Sequence, residues 1–291
     1  MTVANEKQQM RVVPRAWRFL RKPFHEQSIS VYRLWSEIFP GISIPVRLPF
    51  GAWWVPQKDG LRGPLLAGRF EAAELAFVER FLQPGMTVLD LGAHHGLYTL
   101  LASKKVGRGG RVFAFEPSPR ERRALERHLR INFCWNASVQ GVALGDQNDS
   151  SDLYVVEDKN NGCNSLRTPL GVGSTSAVRV DVVRLDDWLR ASEIDHVDFI
   201  KLDVEGAEWA VLKGAPHLLE SKHRPVILAE VQDVRTKPWG YRAKEIIEHL
   251  VSREYKWFAV ELGGRLTDLD MSLADFEGNF VACPLESSLG T

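Results

Sequence analysis

The stretch Thr87-Val-Leu-Asp-Leu-Gly-Ala-His-His-Gly-Leu-Tyr-Thr99 constrains the fold more than any other part of the chain. Val88, Leu89 and Leu91 predict a short buried strand, Gly92 and Gly96 bracket a tight turn, and Leu97 onward predicts a helix. A strand that passes through a glycine turn into a helix start is a nucleotide-type site. The helix N-terminus offers N–H groups, and glycine lets backbone approach a ligand that a Cβ would hold off. Asp90 sets this stretch apart. A carboxylate at the end of a buried strand is costly unless a cation or a hydrogen-bond donor meets it. A dinucleotide pyrophosphate would be repelled by it. The ammonium of S-adenosylmethionine would not.

Around this stretch, apolar segments and helical patterns alternate. Residues 70–83 predict a helix with Leu75, Val78, Phe81 and Leu82 on one face, ended by Pro84-Gly85. Further strands are expected at Arg111–Phe115, near Ser138–Leu144, at Val197–Val204 and at Pro225–Val231, with helices at Leu97–Lys105, Pro119 to about Ile131, and Gly206–Lys213. Ala243, Ile246, Ile247, Leu250 and Val251 give residues 242–252 a helical apolar stripe. Lys256–Leu262 and Asn279–Pro284 close the chain as two strands with no helix between them. The expectation is an α/β fold: a mostly parallel, Rossmann-like sheet with an antiparallel C-terminal pair at one edge. Residues 150–182 break the rhythm and predict an inserted hairpin, with strands at Leu153–Val156 and Ala177–Val182, followed by a short helix at Leu185–Leu189.

Two domains are expected, 1–66 and 67–291. The first begins as a basic arm, with Lys7, Arg11, Arg15, Arg18, Arg21 and Lys22 against Glu6, either a solvated terminus or a docking arm for an anionic partner. The prolines between residues 28 and 66 are expected to forbid a long helix and to leave an aromatic cap with short strands at Ser43–Leu48 and Ala52–Val55. Trp35, Trp53 and Trp54 are packing anchors there, or walls of a substrate pocket. Over the whole chain 37 basic residues balance 37 acidic ones, which gives no global case for nucleic-acid binding. Cys134, Cys163 and Cys283 lack metal-ligand or disulfide spacing. No apolar leader and no run of ~18 apolar residues is present, so no transmembrane segment and a cytoplasmic location are expected.

Glu116 ends the second strand twenty residues after Gly96, where a carboxylate can take both hydroxyls of a ribose or cap the following helix. Lys201, Asp203 and Glu205 alternate along the most apolar strand and so share one face near its carboxyl end, as a structural ion pair or as functional groups. Glu230, at the end of the fifth strand, points toward the same edge, and Asn161 and Ser165 on the hairpin are candidates for a lid over an acceptor pocket. His95 is a further candidate base or a cap. Asp203, Glu205 and Glu230 have the oxygen chemistry of a Mg²⁺ site, but no metal is expected.

Val88–Thr99, Phe115-Glu-Pro117, Val142-Ala-Leu-Gly-Asp146, Arg184-Leu-Asp-Asp187, Asp198–Glu208 and Val211-Leu-Lys-Gly-Ala215 together resemble the FkbM family of S-adenosylmethionine-dependent methyltransferases, in the family's order. Asn279-Phe-Val-Ala282 resembles its last strand. The resemblance implies a class I methyltransferase sheet, S-adenosylmethionine as cofactor, and O-methylation of a hydroxyl on a sugar, polyketide or related small molecule. Residue by residue it implies cofactor contacts from Asp90, Gly92, Ala93, His94, Gly96, Tyr98, Thr99, Glu116, Pro117, Ala143 and Asp203. Asp203, Glu205 and Lys201 are then the catalytic candidates, with Glu230, Asn161 and Ser165 toward the acceptor. The chain departs from the pattern at His94, where the family commonly has Asn. A nicotinamide-dependent oxidoreductase and a non-catalytic relative are the competing readings.

Overall fold

In the computed structural model the residues described are 19–57, 59–157, 164–168 and 173–287. Contacts divide the chain between Pro56 and Gln57 into two units. The expected boundary at 66/67 lies ten residues further on; between the two, Asp59 pairs with His95 and Leu61 lines the cavity of the second unit.

In the first unit, helix α1 (Phe24–Ile38) packs on the antiparallel pair β1 (Val46–Arg47) and β2 (Trp53–Trp54). This corrects the expectation that prolines forbid a long helix. Pro23 precedes α1 and Pro40 follows it, so fifteen residues run between two breakers. Ser28 Oγ accepts the Arg47 N–H at 2.7 Å, Phe24 meets the Trp53 edge at 6.0 Å, and Trp54 is buried. The short strands fall where expected, and the tryptophans serve as packing anchors.

The second unit begins with α2 (Arg62–Leu66) and α3 (Ala72–Phe81). There follow β3 (Thr87–Leu91), α4 (Leu97–Val106), β4 (Arg111–Phe115), α5 (Pro119–Ile131), β5 (Ala137–Gln140), β6 (Ala143–Gly145), β7 (Asp149–Val156), β8 (Thr175–Arg184) and α6 (Leu185–Ala191). The chain continues through β9 (Phe199–Leu202), α7 (Glu208–Lys213), α8 (Pro216–Leu219), β10 (Val226–Gln232), α9 (Asp233–Thr236), α10 (Ala243–Val251), β11 (Tyr255–Glu261), β12 (Arg265–Asp268) and β13 (Glu277–Pro284). The main sheet runs β12-β11-β13-β10-β9-β3-β4-β5. Its half from β10 to β5 is parallel, and β13, β11 and β12 are antiparallel. That is the expected arrangement, with β12 added to the C-terminal pair.

The parallel strands are apolar on both faces because helices cover both. Leu89, Leu91, Leu202, Ile227 and Val231 are essentially inaccessible, and α10 seals one face with Ala243, Ile246, Ile247 and Leu250. Each large side chain there contributes about 2 kcal/mol of burial. Val251, expected on the same stripe, is exposed. The expected strand near Ser138–Leu144 is two strands. The chain bends at Gly141-Val142, leaving β5 at the edge of the main sheet and sending β6 into a small sheet beside β8, which pairs with β7 as the expected hairpin. The bend carries Val142, Ala143 and Leu144 over the carboxyl ends of β3 and β4.

Candidate active site

The carboxyl ends of β3, β4, β9 and β10 open on a cavity of about 280 Å³. Gly92, His94, Glu116 and Pro117 line it, with Phe115, Val142, Ala143, Leu144 and Leu153 as apolar walls, together with Glu71, Asp203, Glu205, Glu230, Arg235 and Ser165. The two glycine-bearing stretches of the sequence meet here. The Asp203 N–H donates to the Leu91 carbonyl at 2.9 Å, and Gly92, at φ 86°, lies so close to β9 that a Cβ would stand 1.7 Å from the Asp203 carbonyl oxygen. That contact is the physical demand for glycine at 92.

Glu116 reaches the cavity from the end of β4. Its Oε2 accepts the His94 N–H at 2.7 Å and its Oε1 the Ser118 N–H at 2.8 Å. Burial, with Glu121 nearby, pushes the Glu116 carboxyl up to about 8. His94 sits at φ 49°, in the left-handed region. Asn enters that region more readily than most residues, which accounts physically for the family's usual residue at this position, and histidine is among those that tolerate it.

Asp90, Ala93, Gly96, Tyr98, Thr99 and Lys201 stand behind the cavity wall instead of in it. Asp90 is buried within β3 and accepts the Thr99 hydroxyl, so the protein itself supplies the donor that its burial requires. Burial raises its carboxyl to about 6, and Lys201 is its register partner on β9. Gly96, at φ 87°, packs against the Leu125 side chain. Tyr98 donates to Glu71 Oε2 at 2.5 Å, and the Lys201 ammonium lies 5.3 Å from its ring centroid. The ammonium of Lys201 also donates to Asp203 Oδ2 at 2.9 Å and Asn279 Oδ1 at 3.2 Å. Burial opposes the charge on Lys201, yet Asp203, Glu71 and Glu230 hold its pKa above the ordinary lysine value. Lys201 is thus a buried cation paired with Asp203.

The expected alternation of Lys201, Asp203 and Glu205 along one strand needs correction, because β9 stops at Leu202. Glu205 (φ 56°) and Gly206 (φ 98°) form a left-handed turn. Glu208 Oε1 accepts the N–H groups of Val204 and Gly206, Tyr241 donates to the Gly206 carbonyl, and Ser165 donates to the Glu205 carbonyl at 3.0 Å. The turn nevertheless gathers the carboxylates. One oxygen each from Asp203, Glu205 and Glu230 lies within 4.8 Å of the others, close enough to hold an oxygen-coordinated divalent cation. Lys201 and Arg235 (3.1 Å from Glu205) already place positive charge on two of them. Burial, then Asp203, pushes Glu205 up to about 8, and burial drives Glu230 well above its ordinary value. Glu230 Oε2 is buried with no hydrogen-bond partner among the described residues. A second group, His94, His95 and Glu121, also lies within metal-ligand reach, with Arg120 and Ser118 on Glu121. His95 packs its ring 3.3 Å from Asp59 and away from the cavity walls. Asn161 lies outside the described residues. Glu71 and Arg235 escape a sequence reading, since neither belongs to a motif or ends a strand of the sheet.

The FkbM methyltransferase domain matches residues 90–257, more than half of the chain. Methyltransferase 1 of Beauveria bassiana is 30% identical over 157 residues, 48% of this chain and 61% of that protein. The chain therefore spans less than two thirds of that relative's length. 2-O-methyltransferase NoeI of Sinorhizobium fredii is 24% identical over 177 residues, 55% of this chain and 69% of its own. The crystal structure of an FkbM methyltransferase from Methylobacillus flagellatus aligns with TM-score 0.43 and 19% identity, covering 75% of this chain and 52% of that one. The mostly parallel sheet with antiparallel C-terminal strands is the class I methyltransferase architecture. Carrying the matched domain from Asp90 through to Trp257, the chain belongs to the FkbM methyltransferase family.

Proposed function

We propose that the chain is an S-adenosylmethionine-dependent O-methyltransferase acting on a hydroxyl of a small, uncharged or cationic acceptor. The observation that carries this reading is one cavity lined both by a ribose-type carboxylate, Glu116, and by a cluster of carboxylates, Asp203, Glu205 and Glu230. The residues fit the cofactor. Glu116 keeps lone pairs for vicinal hydroxyls, and Val142, Leu144 and Leu153 offer apolar faces for a purine. When bound, S-adenosylmethionine supplies an electrophilic methyl on a positively charged sulfur, and the acidic walls suit that charge.

The acceptor end then has two tasks: alignment of the hydroxyl and removal of its proton. Asp203, oriented by Lys201, and Glu205, oriented by Arg235, are the candidate bases. A base works best with a pKa near the operating pH, and the Glu205 carboxyl is pushed up to about 8. Four carboxyl groups beside the single guanidinium of Arg235, itself paired with Glu205, offer acceptors for the hydrogens of hydroxyl or ammonium groups and little to hold a phosphodiester. The name 2-O-methyltransferase NoeI supports the same chemistry in a relative. Family membership removes the oxidoreductase reading. The direct test is calorimetry with S-adenosylhomocysteine and with NADH, followed by transfer of labelled methyl groups to hydroxyl acceptors. Failure to bind S-adenosylhomocysteine would sink the proposal. Glu205→Gln should lower kcat at least ~100-fold and remove a rise in kcat with apparent pKa about 8, leaving cofactor affinity nearly unchanged.

A further inference from the structure

We propose that the outward face of α1 is a docking surface for an anionic lipid bilayer. Ser28 faces β1, Phe24 meets Trp53 of β2, and Tyr32 is buried. Val31, Leu34 and Ile38 are 48%, 61% and 60% exposed. At 3.6 residues per turn these three fall within about 60° of arc, a continuous aliphatic stripe beside that packed face. Leu20 before the helix and Phe39 and Ile42 after it extend the exposed apolar surface. Contiguous exposed apolar surface of this kind marks an interaction site, whereas single exposed apolar residues do not.

The charge around the stripe selects the occupant. Residues 6–22 carry Lys7, Arg11, Arg15, Arg18, Arg21 and Lys22 against Glu6, although the whole chain is neutral. Of these, Arg21 and Lys22 lie within the described residues, immediately before α1; both are exposed, Lys22 pairs with Glu26 at 3.6 Å, and α1 itself carries Glu26 and Glu37 against Arg33. A second copy seated on this face would bring two such basic segments together, and a like-charged pairing is penalised. A nucleic acid would match the charge of the arm but not the aliphatic stripe of Val31, Leu34 and Ile38, which offers bases no planar side chain, while Phe39 already packs on Trp35. An anionic bilayer answers both features, with the aliphatic and phenyl groups at the headgroup boundary and the cations at the surface. Among the described residues no helix is long and apolar enough to cross a membrane, so the contact lies in the plane of the interface.

The test is flotation of the full chain with vesicles of phosphatidylcholine alone and of phosphatidylcholine with about 30 mol % phosphatidylglycerol. The expected result is roughly tenfold more protein on the anionic vesicles at low salt, falling as salt rises. The double variant Leu34→Ser with Ile38→Ser should lose the vesicles while keeping its melting temperature and its affinity for S-adenosylhomocysteine. Those two side chains are mostly solvent-exposed, so the variant keeps its fold. Wild-type protein that stays off anionic vesicles overturns the proposal, as does a double variant that binds them equally well. A wild-type dimer by light scattering that becomes a monomer in the double variant assigns the face to a second copy and also overturns it.

Discussion

At the scale of single residues, Glu116 ties two turns together and lines the cavity at once. Each of its oxygens already accepts one backbone N–H, from His94 and from Ser118, and each has a further lone pair toward the cavity. Glu116→Gln keeps the shape but turns an amide NH₂ toward one of those N–H groups. We expect a folded protein whose dissociation constant for S-adenosylhomocysteine rises at least tenfold by calorimetry, about 1.4 kcal/mol. An unchanged constant would remove the ribose role from this carboxylate. Glu116, Asp203, Glu205 and Glu230 were visible in the sequence because each follows an apolar run, and carboxyl ends of parallel strands are where such sheets bind ligands. Asp90 was visible too, but its partner was not. Thr99 lies on the helix after the turn, and only the packed structure shows that its hydroxyl meets the Asp90 carboxylate. Glu71 left no trace in the pattern. It is a left-handed residue (φ 43°) before α3, and its contact with Tyr98 spans 27 positions.

At the scale of elements, the turn between β9 and α7 decides where the catalytic candidates sit. The sequence signalled a strand here because Phe199, Ile200, Leu202 and Val204 are apolar, and alternation then carried Glu205 onto the face of Lys201. The backbone leaves the strand earlier, since Asp203 already caps the sheet through the Leu91 carbonyl and Glu208 draws the N–H groups of Val204 and Gly206 into a turn. Propensity alone gives no sign of that cap. Gly206 is what makes the turn possible. At φ 98° it has the Trp239 indole nitrogen 2.4 Å, and the Arg235 carbonyl 2.7 Å, from where a Cβ would stand. Gly206→Ala therefore combines left-handed strain with a clash against an aromatic ring, and we expect a loss of about 3 kcal/mol or more in urea unfolding. Because Arg235 and Trp239 would both move, Glu205 should lose its guanidinium partner and turnover should fall with stability. A loss below ~1 kcal/mol would show that the Trp239 side yields freely and that the turn is not held as described.

At the scale of the whole molecule, the cost of assembling this site falls on protonation. Burial is the leading cause of six raised carboxyl groups, Glu71 and Glu230 among them; four of the six stand at about 6 (Asp90), about 7 (Glu208) and about 8 (Glu116 and Glu205). Asp203 adds to the rise at Glu208 and Glu205, and Glu121 at Glu116. Each of the four holds its proton in the folded protein at a pH where the unfolded chain has released it. The folded state therefore binds more protons than the unfolded one from about pH 4.5 to about pH 8, and stability falls as pH rises through that interval. This is the reverse of acid unfolding driven by salt-bridged carboxylates. The ligand-free protein should melt roughly 5 °C or more lower at pH 8.5 than at pH 5.5 by calorimetry. Glu205→Gln, neutral at every pH, should reduce that difference. Saturating S-adenosylmethionine, whose sulfonium and ammonium bring positive charge to these walls, should reduce it as well, and more so than S-adenosylhomocysteine, which lacks the sulfonium. A melting temperature that holds or rises between those pH values would mean that the carboxyl groups are ionised in the folded protein without penalty, and the burial argument for the base at Glu205 would fall with it.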